Sequence, residues 1–341
     1  MKKLPYEMDT IVISTRIRLA RNLTGYPFPE KLTEELADKI IQSVRYELNR
    51  LDEFNEYNIG EIQEEKATLL QEKHLISPAL IRRKEMAAAF ISSDEDISVM
   101  VNEEDHLREQ YIIKGFELVK AYERIAGIDE SIGQSLPFAY DERLGYLTAC
   151  PSNLGTGMRA SVMLFLPGLT KYDTLQELLP KLKAGGMTVR GVFGEGSTAE
   201  GYLYQVSNER TLGVSEKEIL RLTEYWVTEL CSLEHRARER MLKEEGLALR
   251  DTCLRSFGIL TNCALLPEKE FEKEIMKIRL GLALGFFKTN DIFAFNRFVE
   301  YMRPASFTLE NCPKGADELT KNTIRAEVTQ NVLRELVFRV D

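Results

Sequence analysis

Between residues 31 and 53 the apolar positions Leu32, Leu36, Ile40, Val44, Leu48 and Leu51 recur every three or four residues. That is the spacing of one buried helix face, and it predicts an amphipathic helix over this stretch. Downstream the period changes. Residues 87–92 (AAAFIS) and 97–102 (ISVMVN) are short apolar runs bounded by charged residues and read as strands. Ile112, Phe116, Val119 and Tyr122 then return to helical spacing. LGYLTA at 144–149, SVMLFL at 161–166, TVRGVFG at 188–194 and YLYQVS at 202–207 read as further strands, divided by loops rich in Gly, Asn, Ser and Pro. After Gly213 the texture shifts again. Ser215 followed by Glu218 is a capping-box sequence, with Ile219, Leu222, Trp226, Leu230 and Leu233 behind it on one face. From there almost everything to the C-terminus has helical spacing. The expected class is α+β: a mixed domain over residues 1–212, then an all-helical domain over 213–341.

Composition narrows the function. Of 341 residues, 44% are hydrophobic and 29% charged, which is ordinary for a globular chain. A formal net charge of −9 argues against a general nucleic-acid binder, which needs a cationic surface, but leaves room for a local basic pocket. The opening MKKLPYEMDT lacks the apolar run of a signal peptide, and no stretch reaches the roughly 18 apolar residues of a membrane span. Five cysteines are an odd number without CxxC spacing, and the three histidines show no ligand spacing. The expectation is a reduced, cytoplasmic protein with no disulfide framework and no transition-metal site.

Two common nucleotide signatures are absent: there is no GxxxxGK[ST] loop and no HRD/DFG pair. Phosphates would then have to be held by arginine, whose permanent charge and forked donors match phosphate oxygens. Arginines do fall at strand ends and in loops: Arg16 and Arg18, with Arg21 a turn-spaced candidate, then Arg108, Arg159 and Arg190. Any one alone reads as surface decoration. Their neighbours change that, since Arg159 follows a Gly-rich loop and Arg190 lies in a strand ending Gly-Glu-Gly. Carboxylates form the other half of the set, with Glu103 and Glu104 after one strand and Glu195 after another. A guanidinium is a cation at neutral pH with no free lone pair, so an enzyme that phosphorylates one needs a carboxylate to hold the fork and take a proton. Standing alone, Glu103-Glu104-Asp105 would read as a solvated acidic turn. Cys150, beside several arginines, is expected to carry thiolate character.

Together the segments STRIRLARNLTGYPFP, VNEEDHLREQ, CPSNLGTGMRASV, LPGL and RGVFGEGSTAEGYLYQVSN resemble the ATP:guanido phosphotransferase family, which includes arginine and creatine kinases, and they occur in family order. The resemblance implies a catalytic domain built on an antiparallel sheet flanked by helices. It implies that Arg16, Arg18, Arg108, Arg159 and Arg190 bind ATP phosphates. Ser14, Thr15, Ile17, Ala160, Ser161, Met163, Gly191 and Gly194 would line the same site, with His74 (in EKHLISPAL) on the nucleotide. It further implies that Glu104 and Glu195 hold the guanidinium, with Glu104 the base and Cys150 close by. Mg²⁺ would bridge the phosphates without a tight protein site of its own.

Within that family the layout is similar to the bacterial protein-arginine kinases. Phosphagen kinases carry a helical domain before the STRIR segment, which here begins at Ser14; an open site is expected to suit an arginine on a protein chain. RSFGILTNC and KIRLGLALG also resemble the bacterial C-terminal extension. The resemblance implies protein substrates with exposed arginines, an activating adaptor, protein quality-control machinery and a homodimer, and neither nucleic acid nor membrane. One departure stands out. The bacterial group carries RDxxRA, a phosphoarginine-binding motif, where this chain has KNTIRA, so Lys321, Asn322 and Arg325 mark a divergent phosphoarginine site. Two other readings stay open at this point: a small-molecule guanidino kinase, and a phosphoarginine-binding adaptor without catalysis.

Overall fold

A ten-residue strand, β1 (Val12–Arg21), lies inside the main sheet and decides its two faces. Its sequence VISTRIRLAR alternates, so that Ile17 and Leu19 are fully buried on one side while Ser14, Arg16 and Arg18 are only half-buried on the other. The computed structural model describes residues 8–51, 53–191 and 201–340. After β1 come α1 (Glu34–Leu51), β2 (Phe54–Asn58), α2 (Glu64–Glu72), α3 (Pro78–Arg83), β3 (Ala88–Ser92), β4 (Ile97–Val101), β5 (Leu107–Lys114) and α4 (Leu118–Ser135). The short pair β6 (Tyr140–Asp141) and β7 (Gly145–Tyr146) precedes β8 (Met158–Phe165), α5 (Pro167–Lys171), α6 (Thr174–Ala184), β9 (Met187–Gly191) and β10 (Leu203–Asn208). The remainder is helical apart from one small ribbon: α7 (Glu216–Asn262), α8 (Glu268–Ala283), β11 (Phe287–Lys288), α9 (Ile292–Tyr301), α10 (Pro304–Asn311), α11 (Glu318–Leu336) and β12 (Phe338–Arg339).

Eight strands form one antiparallel sheet in the order β2-β3-β4-β5-β1-β8-β10-β9. The expected α+β class therefore stands, with an antiparallel sheet and a helical C-terminal part. One face is covered by α1, α4, α6 and the first half of α7, whose apolar positions join Ile17, Leu19, Val99, Ala160 and Val206 in a single core. At the β2–β4 end, α2 and α3 bury Leu70, Leu75 and Leu80 against Ala89, Ile91 and Met100 on the other face. A third core joins Phe165 of β8 to the C-terminal helices through Phe271, Phe287, Phe295 and Phe307. Helix α7 serves two of these cores: Val227 and Leu230 pack with the sheet, Cys253 and Leu260 with the C-terminal helices. The change falls near a non-helical residue, Glu245. The capping box at Ser215 and Glu218 forms as the sequence indicates.

Several spacing-based expectations need correction. Ile112 belongs to β5 rather than to a helix, because Gly115 at φ 71° turns the chain before α4 begins. Of 144–149 only Gly145 and Tyr146 are in a strand. β1, β2 and β5 were not foreseen. In β5 the fully buried polar side chains Glu109 and Gln110 break the apolar signal.

Arg21 is also corrected. Strand geometry puts it on the Leu19 side, away from Arg16 and Arg18, and it is 2% exposed. Its Nη2 donates to Asp129 Oδ2 of α4 at 2.9 Å, Nε lies 2.9 Å from Oδ1, and Nη1 donates to the carbonyls of Ala20 (2.9 Å) and Thr156 (3.0 Å). The guanidinium sits 3.6 Å from the Tyr146 ring centre. Glu109 shares this buried space, and neither of its carboxyl oxygens has a hydrogen-bond partner. Burial, then Asp129, pushes the Glu109 carboxyl well above its usual range, against the pull of Arg21. Burial raises Asp129 as well. One cation thus faces two acids.

Arg21→Met is expected to cost about 3–5 kcal/mol, the typical consequence of breaking a buried pair. Both acids already have raised folded-state pKa values, and losing the guanidinium raises them further. Stability is then lost at high pH and regained as protons bind, so the deficit is largest above neutrality and shrinks towards pH 5. Urea unfolding at two pH values measures this. An equal deficit at both would show that Glu109 and Asp129 are not the groups left uncompensated.

Candidate active site

Strand register alone assembles the arginines. Arg18 lies opposite Arg159 of β8 and Gln110 of β5, Ala20 opposite Arg108, and Arg16 opposite Ser161. Across β10, Gln205 lies opposite both Met163 and Arg190. Residues directly opposite share a face, so Arg16, Arg18, Arg108, Arg159 and Arg190 all project from the side turned away from the α1–α4 core. Strands about 5 Å apart, with same-face neighbours about 7 Å along each, leave little room between these charges.

Burial first, then Arg108, pulls Arg16 down to about 10, and Arg18 lies well below the usual arginine range through burial, Arg16, Arg108 and Arg159. Arg159 is lowered by burial and then by Arg190, with Cys150 among the opposing influences. Arginine keeps its proton in proteins, so these shifts express the cost of burial, with mutual repulsion added, rather than neutral side chains. The buried Nε of Arg18 has no partner. Among the described residues one carboxylate reaches into the cluster. Arg108 Nη1 donates to both oxygens of Glu103, at 2.7 and 2.9 Å, and Ser77 donates to Oε1. Burial alone would raise Glu103, but Arg108, Ser77 and the Glu104 amide together hold it below its usual value.

The remaining sequence candidates separate by face. Ser14, Ser161 and Met163 share the arginine side, with Ser161 Oγ donating to the Arg16 carbonyl at 3.2 Å. Thr15, Ile17 and Ala160 point the other way. Thr15 Oγ1 donates to Gly115 O at 2.7 Å, and Ile17 and Ala160 lie in the core, so their side chains do not line this face. Gly191 ends β9. Glu195 and Gly194 fall within 192–200, outside the described residues.

The turn between β4 and β5 carries three acids with three different roles. Asn102 opens it in the left-handed region (φ 59°), its side-chain amide donating to Met86 O at 2.9 Å. Glu103 anchors Arg108. Glu104 is exposed at the turn. Asp105 is 2% exposed, and its Oδ1 accepts from Asn22 Nδ2 and from the Ala149 amide, both at 2.6 Å. That second bond ties the loop bearing Cys150 to the loop bearing Glu104. Burial raises the Asp105 carboxyl, although the Ala149 amide and Asn22 oppose it. The Cys150 loop is closed by a tight backbone approach at Gly155 (φ 110°), where a Cβ would lie 2.2 Å from Thr211 O. Cys150 Sγ is 3.1 Å from Ser152 Oγ.

Glu103 is marked in the sequence only as one of the acids after a strand, and nothing in the pattern marks Asp105 or Asn22 as site-building residues. The only available signal was the density of acids after a strand. His74 sits at φ 59°, and its carbonyl accepts from Gln110 Nε2 at 2.5 Å, beside the arginine face. The KNTIRA segment lies apart, on α11. Lys321 pairs with Glu318 at 3.1 Å. Arg325 is buried over the Phe307 ring, and its Nη1 donates to Leu266 O (3.0 Å) and Asn322 Oδ1 (2.9 Å).

Comparison with known proteins places this geometry. Residues 35–237 match the ATP:guanido phosphotransferase C-terminal catalytic domain, and residues 246–338 match the protein-arginine kinase McsB C-terminal domain. A protein-arginine kinase from Caldanaerobacter subterraneus is 41% identical over 89% of this chain and 91% of its own length. One from Clostridium tetani is 38% identical over 96% of each. Among solved structures, lombricine kinase aligns with a TM-score of 0.60 at 26% identity over 69% of each chain. The duplicated taurocyamine kinase of Schistosoma mansoni, in a structure with bound transition-state analogue components, aligns with a TM-score of 0.62 at 29% identity, over 78% of this chain and 41% of its own. The chain is therefore a member of the ATP:guanido phosphotransferase family, and it carries the C-terminal domain of the protein-arginine kinases.

Proposed function

We propose that this enzyme transfers the γ-phosphoryl group of ATP to a guanidino nitrogen of arginine side chains in proteins. The observation that carries the reading is the single sheet face on which five arginines converge with, among the described residues, one intruding carboxylate. Such a face is poorly satisfied until a polyanion arrives. The 38–43% identity to protein-arginine kinases, and the match of residues 246–338 to their C-terminal domain, favour protein arginine over a small guanidino compound.

The chemistry follows from the groups present. Arg16, Arg18, Arg108, Arg159 and Arg190 hold the triphosphate and offset charge on the transferring group. Glu104 takes a proton from the guanidinium as the N–P bond forms and the bond from γ-phosphorus to the β–γ bridging oxygen breaks, releasing ADP. Glu195 is the second carboxylate on the substrate fork, with Cys150 alongside. Mg²⁺ neutralises and orients the phosphates when bound. No described helix is long and apolar enough to cross a membrane. All five cysteines are free.

The direct test is incubation with ATP, Mg²⁺ and an arginine-rich protein, or with free arginine, with phosphoarginine detected without acid. Modification of the protein and little of the free amino acid is expected; the reverse would favour a phosphagen-type kinase. Glu104→Gln should abolish transfer while leaving nucleotide affinity nearly unchanged, and normal turnover would remove Glu104 from the role of base. Arg190→Lys keeps the charge but loses the fork. Catalytic efficiency should fall by about 2–3 kcal/mol of transition-state stabilisation, roughly 30- to 150-fold. A lysine variant with full kcat/KM would make Arg190 peripheral.

A further inference from the structure

Besides α7, the helical part grips the sheet domain at the end of α2, where the chain reads Glu72-Lys73-His74. The Glu72 carboxylate accepts from the backbone N–H groups of Ala305 (2.9 and 3.0 Å) and Ser306 (3.0 Å) and from the Ser306 hydroxyl (3.3 Å). It thereby satisfies the exposed donors at the start of α10 with a side chain from another element. Lys73 Nζ lies 3.6 Å from Glu310 of α10. Arg303, the residue that precedes α10, donates from Nη1 to the Glu72 carbonyl, and the same nitrogen lies 3.2 Å from His74 Nε2.

A guanidinium has donors only, so Nε2 of His74 must be the acceptor and the ring proton must sit on Nδ1. His106 is arranged the opposite way. The Leu23 amide donates to its Nδ1 at 3.0 Å, leaving Nε2–H to donate to Pro27 O at 2.9 Å. We propose that Arg303 is a positioning residue contributed by the helical domain. By donating to Nε2 it fixes His74 as the neutral, Nδ1-protonated imidazole, and it links the seating of α10 on α2 to ATP affinity. This rests on the reading that His74 contacts the nucleotide. The ring's single donor is then held ready for an acceptor on the nucleotide. Charge around the ring agrees: burial, then Arg303, then Arg16 pull the His74 pKa down to about 3, although part of the side chain is exposed. The left-handed backbone at His74, tied by Gln110, fixes where the ring starts from.

The test uses the full chain and long-range ¹H–¹⁵N spectra of its three histidines, with His74 assigned through His74→Gln. In the wild type His74 is expected as the Nδ1–H form and His106, an internal reference, as the Nε2–H form. Arg303→Ala should move His74 towards the Nε2–H form and raise KM for ATP by about fivefold to tenfold, the upper range of one ordinary hydrogen bond. The KM for the protein substrate should stay within about twofold. Arg303→Lys, which keeps one donor, should restore the tautomer and part of the affinity. A wild-type His74 in the Nε2–H form, or an Arg303→Ala protein with unchanged tautomer and KM, would overturn the proposal. If His74→Gln raises KM for ATP while Arg303→Ala does not, the coupling alone fails. If His74→Gln changes nothing, the nucleotide role of His74 falls with it.

Discussion

Repulsion among five guanidinium groups on one sheet face is the constraint that the surrounding structure answers. Such a cluster would splay apart on a loop. Here four strands hold it in register, and each strand is fixed on its reverse side by the core that α1, α4, α6 and α7 complete. Among the described residues one buried carboxylate, Glu103, enters the cluster and restrains Arg108. Excess positive charge on a largely half-buried face is unfavourable for the empty protein and favourable for binding a polyphosphate. Part of the folding free energy is in this sense stored as affinity.

Legibility in the sequence followed the physics of each element. Helix α1 was plain because a one-sided apolar stripe has no competing explanation, and the start of α7 because its capping box is local. The central strand β1 was hidden, since half its positions, Ser14, Thr15, Arg16, Arg18 and Arg21, are polar, and β5 was hidden by buried Glu109 and Gln110. The arginines of the site were recognisable as a set through their flanking motifs. Their common face required the register, which no local pattern contains. Thr15, Ile17 and Ala160 show that adjacency in a motif does not place side chains together in a strand, where every second one turns away. Asp105 and Asn22 act through hydrogen bonds between distant segments, and such bonds leave no trace in spacing.

The two parts of the chain are joined more intimately than a linker would join them. Helix α7 runs from one core into the other with a single non-helical residue between, and α10 has its first turn completed by a side chain of α2. Ordering of the helical part and ordering of the sheet's ligand-facing side are therefore coupled through shared elements.

The alternation of β1 also restricts how such a sequence can drift. Substituting one side chain in Val12–Arg21 alters one position on one face. Inserting or deleting one residue there exchanges the faces of everything beyond it, driving Arg16 or Arg18 into the apolar core and exposing Ile17 and Leu19. Changes of length near this strand are tolerable only outside it, or as a bulge that restores the phase, like the irregularity already present between Val12 and Ser14. The strand can change its letters but not its parity.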